Sequence, residues 1–247
     1  AREHLAVAIE PAAPGGALLR LVASHDPLLA ELATRAHLPV ELTFRGSRES
    51  VSAFAQGSAE LAGFHLPPGD GGAYRELIRP RRDRLIRFAR REQGLIVAAD
   101  NPHGLRSLAD VAQARLRFVN RQRGSGTRML VDALLGESGV APEALQGYAD
   151  EEFTHAAVAA TVAAGRVDAG VGVRAAAARY GLGFVPLRTE LYWLVTRARA
   201  LADRRFEHLL GALRGPELPR LAARLGGYDA TGAGEILPVS ALYESKG

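Results

Sequence analysis

A chain of 247 residues with 47% apolar content holds enough material for one large domain or two lobes around a buried core. It has no cysteine, which excludes a disulfide framework, a thiolate metal centre and a cysteine nucleophile. Net charge is +4, and all but one of the 31 basic residues are arginine, Lys246 being the exception; such a field concentrates anions. Residues 1–14 lack a basic segment followed by an apolar run, and no apolar stretch is long enough to span a bilayer as a helix. A cytoplasmic protein without membrane contact is expected, or a periplasmic one whose signal peptide has been removed.

After a Pro/Gly-rich lead-in to residue 16, the pattern predicts a buried strand over 18–23, the turn Ser24-His25-Asp26-Pro27, and a helix over 28–37. Ser or Asp can cap that helix, and proline suits its first turn. The rhythm repeats with a strand at 40–44, the turn Gly46-Ser47-Arg48-Glu49-Ser50, a helix at 51–56, and a strand at 61–64 ending on His65. Alternation of this length argues for a parallel, doubly wound α/β sheet. Ligands of such sheets lie at the carboxyl ends of the strands, here marked by Ser24, His25, Ser47 and His65.

A loop over 67–72 and a short helix at 73–78 lead to the basic run Arg79-Pro80-Arg81-Arg82-Asp83-Arg84. That run lacks the interleaved aromatics of a stacking platform, so it is expected to be a solvated face. Strands follow at 85–89 and 95–99, and Asn101-Pro102-His103-Gly104 is expected to cross into a second α/β lobe. There a helix at 107–112 precedes the apolar residues 116–119 and the turn Asn120-Arg121-Gln122-Arg123-Gly124-Ser125-Gly126-Thr127-Arg128. A Ser-Gly-Thr turn opening a helix aims free N–H groups and two hydroxyls at one point, where the helix dipole favours negative charge. The same residues also suit a plain helix cap. This is no Walker A loop, which needs Gly-Lys, and no dinucleotide fingerprint, whose third glycine position is Met129.

Further on, a strand at 148–153 with Thr154-His155 at its end, a helix at 156–164, a strand at 168–173, a helix at 175–180 and a strand at 184–187 continue the lobe. Residues 189–195 are expected to cross back, and amphipathic helices at 201–213 and 218–225 close the chain. The expected organisation is a first lobe of residues 1–97 and 192–247 and a second of 98–191.

These two lobes, with the motifs Arg91-Glu92-Gln93-Gly94-Leu95, Asn101-Pro102, the Ser-Gly-Thr element, Ala163-Ala164-Gly165-Arg166-Val167-Asp168-Ala169-Gly170-Val171-Gly172 and Gly227-Tyr228-Asp229-Ala230-Thr231-Gly232, resemble a PBP-like domain of type II periplasmic-binding-protein fold. That domain is related to tungstate- and molybdate-binding proteins. It also occurs beside helix-turn-helix segments in regulators and in molybdenum-cofactor proteins. The resemblance implies an inter-lobe cleft for a tetrahedral oxoanion, molybdate or tungstate. Ser125, Gly126, Thr127 and Arg121 or Arg128 would hold it from one lobe, with Ser24, His25 and Ser47 facing them. Arg48, His65, Thr154 and His155, at strand ends or in the turns after them, complete the candidate set. One departure is Asp26, which would repel an anion unless it turns away to cap the helix.

The resemblance implies a non-catalytic sensor domain without cofactor or metal, the effector part of a transcriptional regulator. DNA contact would belong to a separate helix-turn-helix domain, and a homodimer is compatible. The alternatives are a larger anionic metabolite or the molybdenum cofactor as ligand, and a periplasmic transport receptor. An enzyme using His25, His65 and His155 is the remaining alternative, although the seven histidines show no local metal-ligand spacing.

Overall fold

The computed structural model describes residues 18–66 and 71–244; the expected lead-in and residues 67–70 of the expected loop lie outside them. Contacts divide the chain into two units. One is Ala1–Arg90 with Glu190–Arg224 and Tyr228–Gly247, the other Arg91–Thr189 with Leu225–Gly227.

The first unit opens with β1 (Leu19–Ser24), α1 (Pro27–Arg35), β2 (Val40–Arg45), α2 (Ser47–Ala55) and β3 (Leu61–Leu66). β1 pairs in parallel with both β2 and β3, as the alternation predicts. α1 begins at Pro27 because Asp26 accepts the Leu29 N–H at 3.0 Å, satisfying one of the orphan donors of its first turn. α2 starts at Ser47, four residues earlier than expected, so Ser47 and Arg48 lie in a helix rather than a turn. The short helix expected at 73–78 is instead a 3-10 turn at Gly71–Tyr74.

The largest departure comes next. The strands expected at 85–89 and 95–99 are one strand, β4 (Asp83–Val97), and the passage between units falls inside it, at Arg90 and Arg91. Residues 101–104 are no crossing. They form a local turn of the second unit, closed by the Asn101 amide donating to the Leu105 carbonyl at 2.8 Å and accepting its N–H at 3.0 Å.

In the second unit follow α3 (Leu108–Gln113), β5 (Phe118–Arg121), α4 (Gly126–Glu137), β6 (Glu151–Glu152), α5 (His155–Ala163), β7 (Ala169–Val173) and α6 (Arg174–Arg179). Ser107 and Asp110 form a capping box at the start of α3. β6 is two residues long against the six expected at 148–153. β7 lies between β5, which it meets in parallel, and the distal part of β4, which it meets antiparallel. Leu95, Val97, Val111, Phe118, Val131 and Val171 are the centre of this unit's core.

β8 (Gly183–Arg197) is again one 15-residue strand where a strand and a crossing were expected, and the chain returns to the first unit within it, at Glu190. There it pairs antiparallel with β3, Phe64 opposite Trp193 and His65 opposite Tyr192. Amphipathic α7 (Arg204–Arg214) and α8 (Glu217–Leu225) follow, then β9 (Tyr228–Asp229) and β10 (Ile236–Leu237), both paired with β4, and α9 (Ala241–Glu244). Val51, Phe54, Phe64, Leu85, Trp193 and Val239 are at the heart of the first core. The sheet is therefore mixed: its parallel strands are those read from the α/β rhythm, and its antiparallel pairings come from β4 and β8. No described helix is long and apolar enough to cross a membrane.

Candidate functional site

At the carboxyl edge of β1 and β3 in the first unit, three buried polar side chains meet. Ser24 ends β1, Ser47 opens α2, and His65 lies near the end of β3. The Ser24 hydroxyl is 2.9 Å and the Ser47 hydroxyl 3.2 Å from His65 Nδ1. When Nδ1 carries the proton, the ring donates to both oxygens; the Ser47 hydroxyl proton is then left to point at a ligand, while the Ser24 hydroxyl has the Tyr192 hydroxyl as an acceptor at 3.5 Å. Tyr192 fixes the strand end, its hydroxyl donating to the Ser24 carbonyl at 2.7 Å. Glu190, fully buried, places Oε2 4.0 Å from His65 Nε2.

The flanking candidates have other duties. His25 stands edge-on to Phe44, ring centres 4.9 Å apart. Arg48 is exposed and donates to the Ala73 carbonyl at 3.3 Å. Asp26 does turn away: besides capping α1, it accepts the Tyr228 hydroxyl at 3.1 Å.

The Ser-Gly-Thr turn of the second unit is a strand, a glycine turn and a helix, as its residues imply. Gly124 takes φ +81°, a left-handed turn that few other residues tolerate. Ser125 caps α4 by accepting the Arg128 N–H at 3.1 Å. The N–H groups of Gly126 and Thr127, first in the helix, have no acceptor within it. Thr127 donates its hydroxyl to Gln93 Oε1 at 3.0 Å. The Arg128 guanidinium is drawn off to Asp132 at 3.2 Å and Glu151 at 3.3 Å and lies over the Tyr148 ring at 4.0 Å, so it props the turn from behind. Thr154 is the cap of α5, accepting the Ala157 N–H at 3.0 Å, and His155 is buried as the first residue of that helix.

Arg121, last in β5, is 4% exposed. Its Nε donates to Gln122 Oε1 at 3.0 Å and the Glu152 carbonyl at 3.2 Å, and its Nη2 to the Phe153 carbonyl at 3.0 Å. Burial first, and then the neighbouring charge of Arg91, pull this guanidinium down to about 9. A positive charge is costly there, and a bound anion relieves the cost.

The sequence candidates for the site did not include Arg91, Gln93, Glu190 and Tyr192, all at most 1% exposed, although the first two belong to one of the motifs behind the family resemblance. A signal for the first two existed. Arg90 to Gln93 interrupts two apolar runs and reads as a break between strands, whereas in a single continuous strand it becomes a set of buried polar side chains. Among the described residues, no group of three or more His, Asp or Glu could hold a metal ion.

An α/β chain with this strand order has the fold of the type II periplasmic-binding-protein-like domains. A family model described as the PBP superfamily domain matches residues 29–214, and the chain belongs to that family. It is a ligand-binding domain of PBP-like fold, a class of typically non-catalytic binding and sensor domains. Protein YvgK of Bacillus subtilis is 30% identical over 203 residues, covering 78% of this chain; the chain spans 64% of the length of that relative. A protein encoded in the 5′ region of a 2Fe-2S ferredoxin gene of Clostridium pasteurianum is 31% identical over 110 residues, 44% of this chain and 97% of its own. Among solved structures, EhuB in complex with hydroxyectoine superposes with TM-score 0.59 at 14% identity, covering 93% of this chain and 95% of that one. The tungstate ABC transporter structure from Geobacter sulfurreducens gives 0.58 at 12% identity, with 83% and 97% covered. The effector-binding domain of a BenM variant gives 0.55 at 12% identity, with 87% and 99% covered. At such identities these likenesses bear on the fold alone.

Proposed function

We propose that the chain is a sensor domain for a small divalent oxoanion, molybdate or tungstate, and works in the cytoplasm as the effector part of a transcriptional regulator. DNA contact in this reading belongs to a separate helix-turn-helix domain. The observation that carries the oxoanion is the Ser24, Ser47 and His65 cluster. A desolvated dianion needs many short donors, each hydrogen bond to a charged group contributing about 1.5–3 kcal/mol. Two hydroxyls joined through one imidazole at a strand edge supply such donors, and the one acid of the adjoining turn, Asp26, is committed to α1 and Tyr228. The open N–H groups at the start of α4 are donors of the same kind. The fold that the chain shares with an effector-binding domain and with a tungstate transporter structure is compatible with both parts of this reading.

Titration calorimetry against molybdate, tungstate, sulfate and phosphate tests the ligand. Heat with molybdate or tungstate is expected, and silence with all four anions overturns the reading. Ser24→Ala and Ser47→Ala should each weaken binding about 10- to 150-fold, the range that one hydrogen bond to a charged group spans. Unchanged affinity in both variants would show that the cluster is a structural clasp.

A further inference from the structure

The strands of the first unit give it two ends. Ser24 and His65 mark the one at which β1 and β3 finish. At the other, β1 and β3 begin and β8 finishes: Leu61 of β3 stands opposite Thr196 of β8, and the Thr196 hydroxyl donates to the Glu60 carbonyl at 3.0 Å. The basic run of residues 79–84 belongs to this second end, because the Ala198 N–H donates to the Arg82 carbonyl at 2.8 Å. The length of β3 separates it from the Ser24, Ser47 and His65 cluster.

The run is a tight turn, in which the N–H groups of Arg82 and Asp83 both donate to the Arg79 carbonyl, at 3.0 and 2.9 Å. Its one acid is engaged inside: Asp83 is fully buried and accepts the Arg79 N–H at 2.7 Å and Arg197 Nη1 at 2.6 Å. Arg79, Arg81 and Arg82 are left exposed, and Arg199, just after Ala198, is exposed as well. Among the described residues none of these four has a carboxylate partner. The other acids of this end are already paired, Glu60 with Arg20 and Arg205, and Asp203 with Arg205. Glu76, beside Arg75, is the one exposed acid between Gly71 and Arg84.

Unpaired guanidinium groups on a fixed turn suit phosphate oxygens, whose geometry their planar fork matches. No large apolar side chain is exposed between Arg79 and Arg84 or between Ala198 and Asp203. The surface therefore lacks both the apolar face that enters a membrane and the aromatic platform on which single strands stack. Charge without stacking fits the regular phosphate rows of a duplex.

We propose that Arg79, Arg81, Arg82 and Arg199 contact the phosphate backbone of duplex DNA without reading its sequence. In the regulator reading a separate domain reads the sequence, and this surface adds a contact beside it. The inference does not rest on the identity of the ligand, whose candidate site in this unit is at the other end.

Fluorescence anisotropy of labelled duplexes of about 30 base pairs, between about 50 and 200 mM sodium chloride, tests it. Two duplexes of unrelated sequence should bind within about twofold of each other. Log K should fall against log salt with a slope of about −3 to −4, roughly 0.9 for each neutralised phosphate. Arg81→Gln combined with Arg82→Gln should make that slope shallower by about 2 and weaken binding at least about 10-fold at the lower salt, whereas lysine at both positions should keep the slope. Arg106→Gln combined with Arg179→Gln removes the same charge from exposed positions of the second unit and should leave the slope as it is; thermal melts check the folding of every variant. Equal losses in the two glutamine pairs would mean that net charge alone attracts the duplex, which overturns the proposal. Silence with both duplexes at the lower salt overturns it too, as does binding to phosphatidylglycerol vesicles without binding to the duplex.

Discussion

Asp26 shows how one side chain can reverse its meaning between sequence and structure. In the string it is an acid next to the proposed anion contacts; in the fold it is fully buried, bonded to the Leu29 N–H and the Tyr228 hydroxyl. Asp26→Ala should therefore cost about 1 kcal/mol as a lost cap, and more because Tyr228 loses its acceptor, without weakening the anion. Urea unfolding measures the first effect and calorimetry the second; a large gain in oxoanion affinity would mean that the carboxylate does face the ligand. Asp168 has a different kind of consequence. Hydrogen bonds from Arg117 hold its carboxyl below the ordinary 3.8. The unfolded chain then binds the proton more readily than the folded one, so this contribution to stability is present above about pH 4 and lost as the pH falls. Urea-unfolding stability should decline through that window, and Asp168→Asn should flatten the decline.

At the scale of elements, β4 and β8 are the parts that sequence pattern misrepresented. Polar residues at 90–93 look like a break between strands, and Thr189 and Glu190 look like a crossing. Within each 15-residue strand these residues are the point at which the chain passes from one unit to the other. Period-two alternation presumes one wet face, and Arg91 and Gln93 are buried instead, satisfied by polar neighbours that no local window contains. Gly94 marks the close approach. A Cβ there would lie 2.1 Å from the Val185 carbonyl oxygen and 2.7 Å from the Phe184 ring. Gly94→Ala should destabilise by at least the roughly 1–3 kcal/mol typical of overpacking, seen as a lower denaturant midpoint. A neutral result would mean that β8 can move off β4 at no cost. The backbone of the Ser-Gly-Thr turn, by contrast, was legible, because a cap, a left-handed glycine and a helix start are local matters; the expectation that both hydroxyls aim at one point was not met, since Thr127 donates to Gln93 and Ser125 caps α4. The fate of Arg128 was not legible, since Tyr148 and Glu151 approach it from more than 19 positions away along the chain.

For the whole molecule, the family model over residues 29–214 makes ligand binding the activity to be tested first. A ligand that binds only the folded chain adds stability as RT ln(1 + [L]/Kd), about 2.7 kcal/mol at one hundred times Kd. Molybdate or tungstate at that excess should raise the melting temperature by several degrees, while sodium chloride at equal ionic strength should not. An equal shift with both salts would point to general screening of the arginine-rich surface rather than to a site.

The sequence by itself determined the α/β class, the parallel pairing of β1 with β2 and β3, the turn at Gly124 to Thr127 and the family. Each depends on periodicity, on capping chemistry or on motifs held in a few consecutive residues. Only the tertiary structure decided that two strands carry the chain between units, that Asp26 faces away, and that Ser24, Ser47 and His65 meet. Those facts depend on register between strands far apart in the chain, and register is set by what each side chain buries against, which no window of neighbouring residues contains.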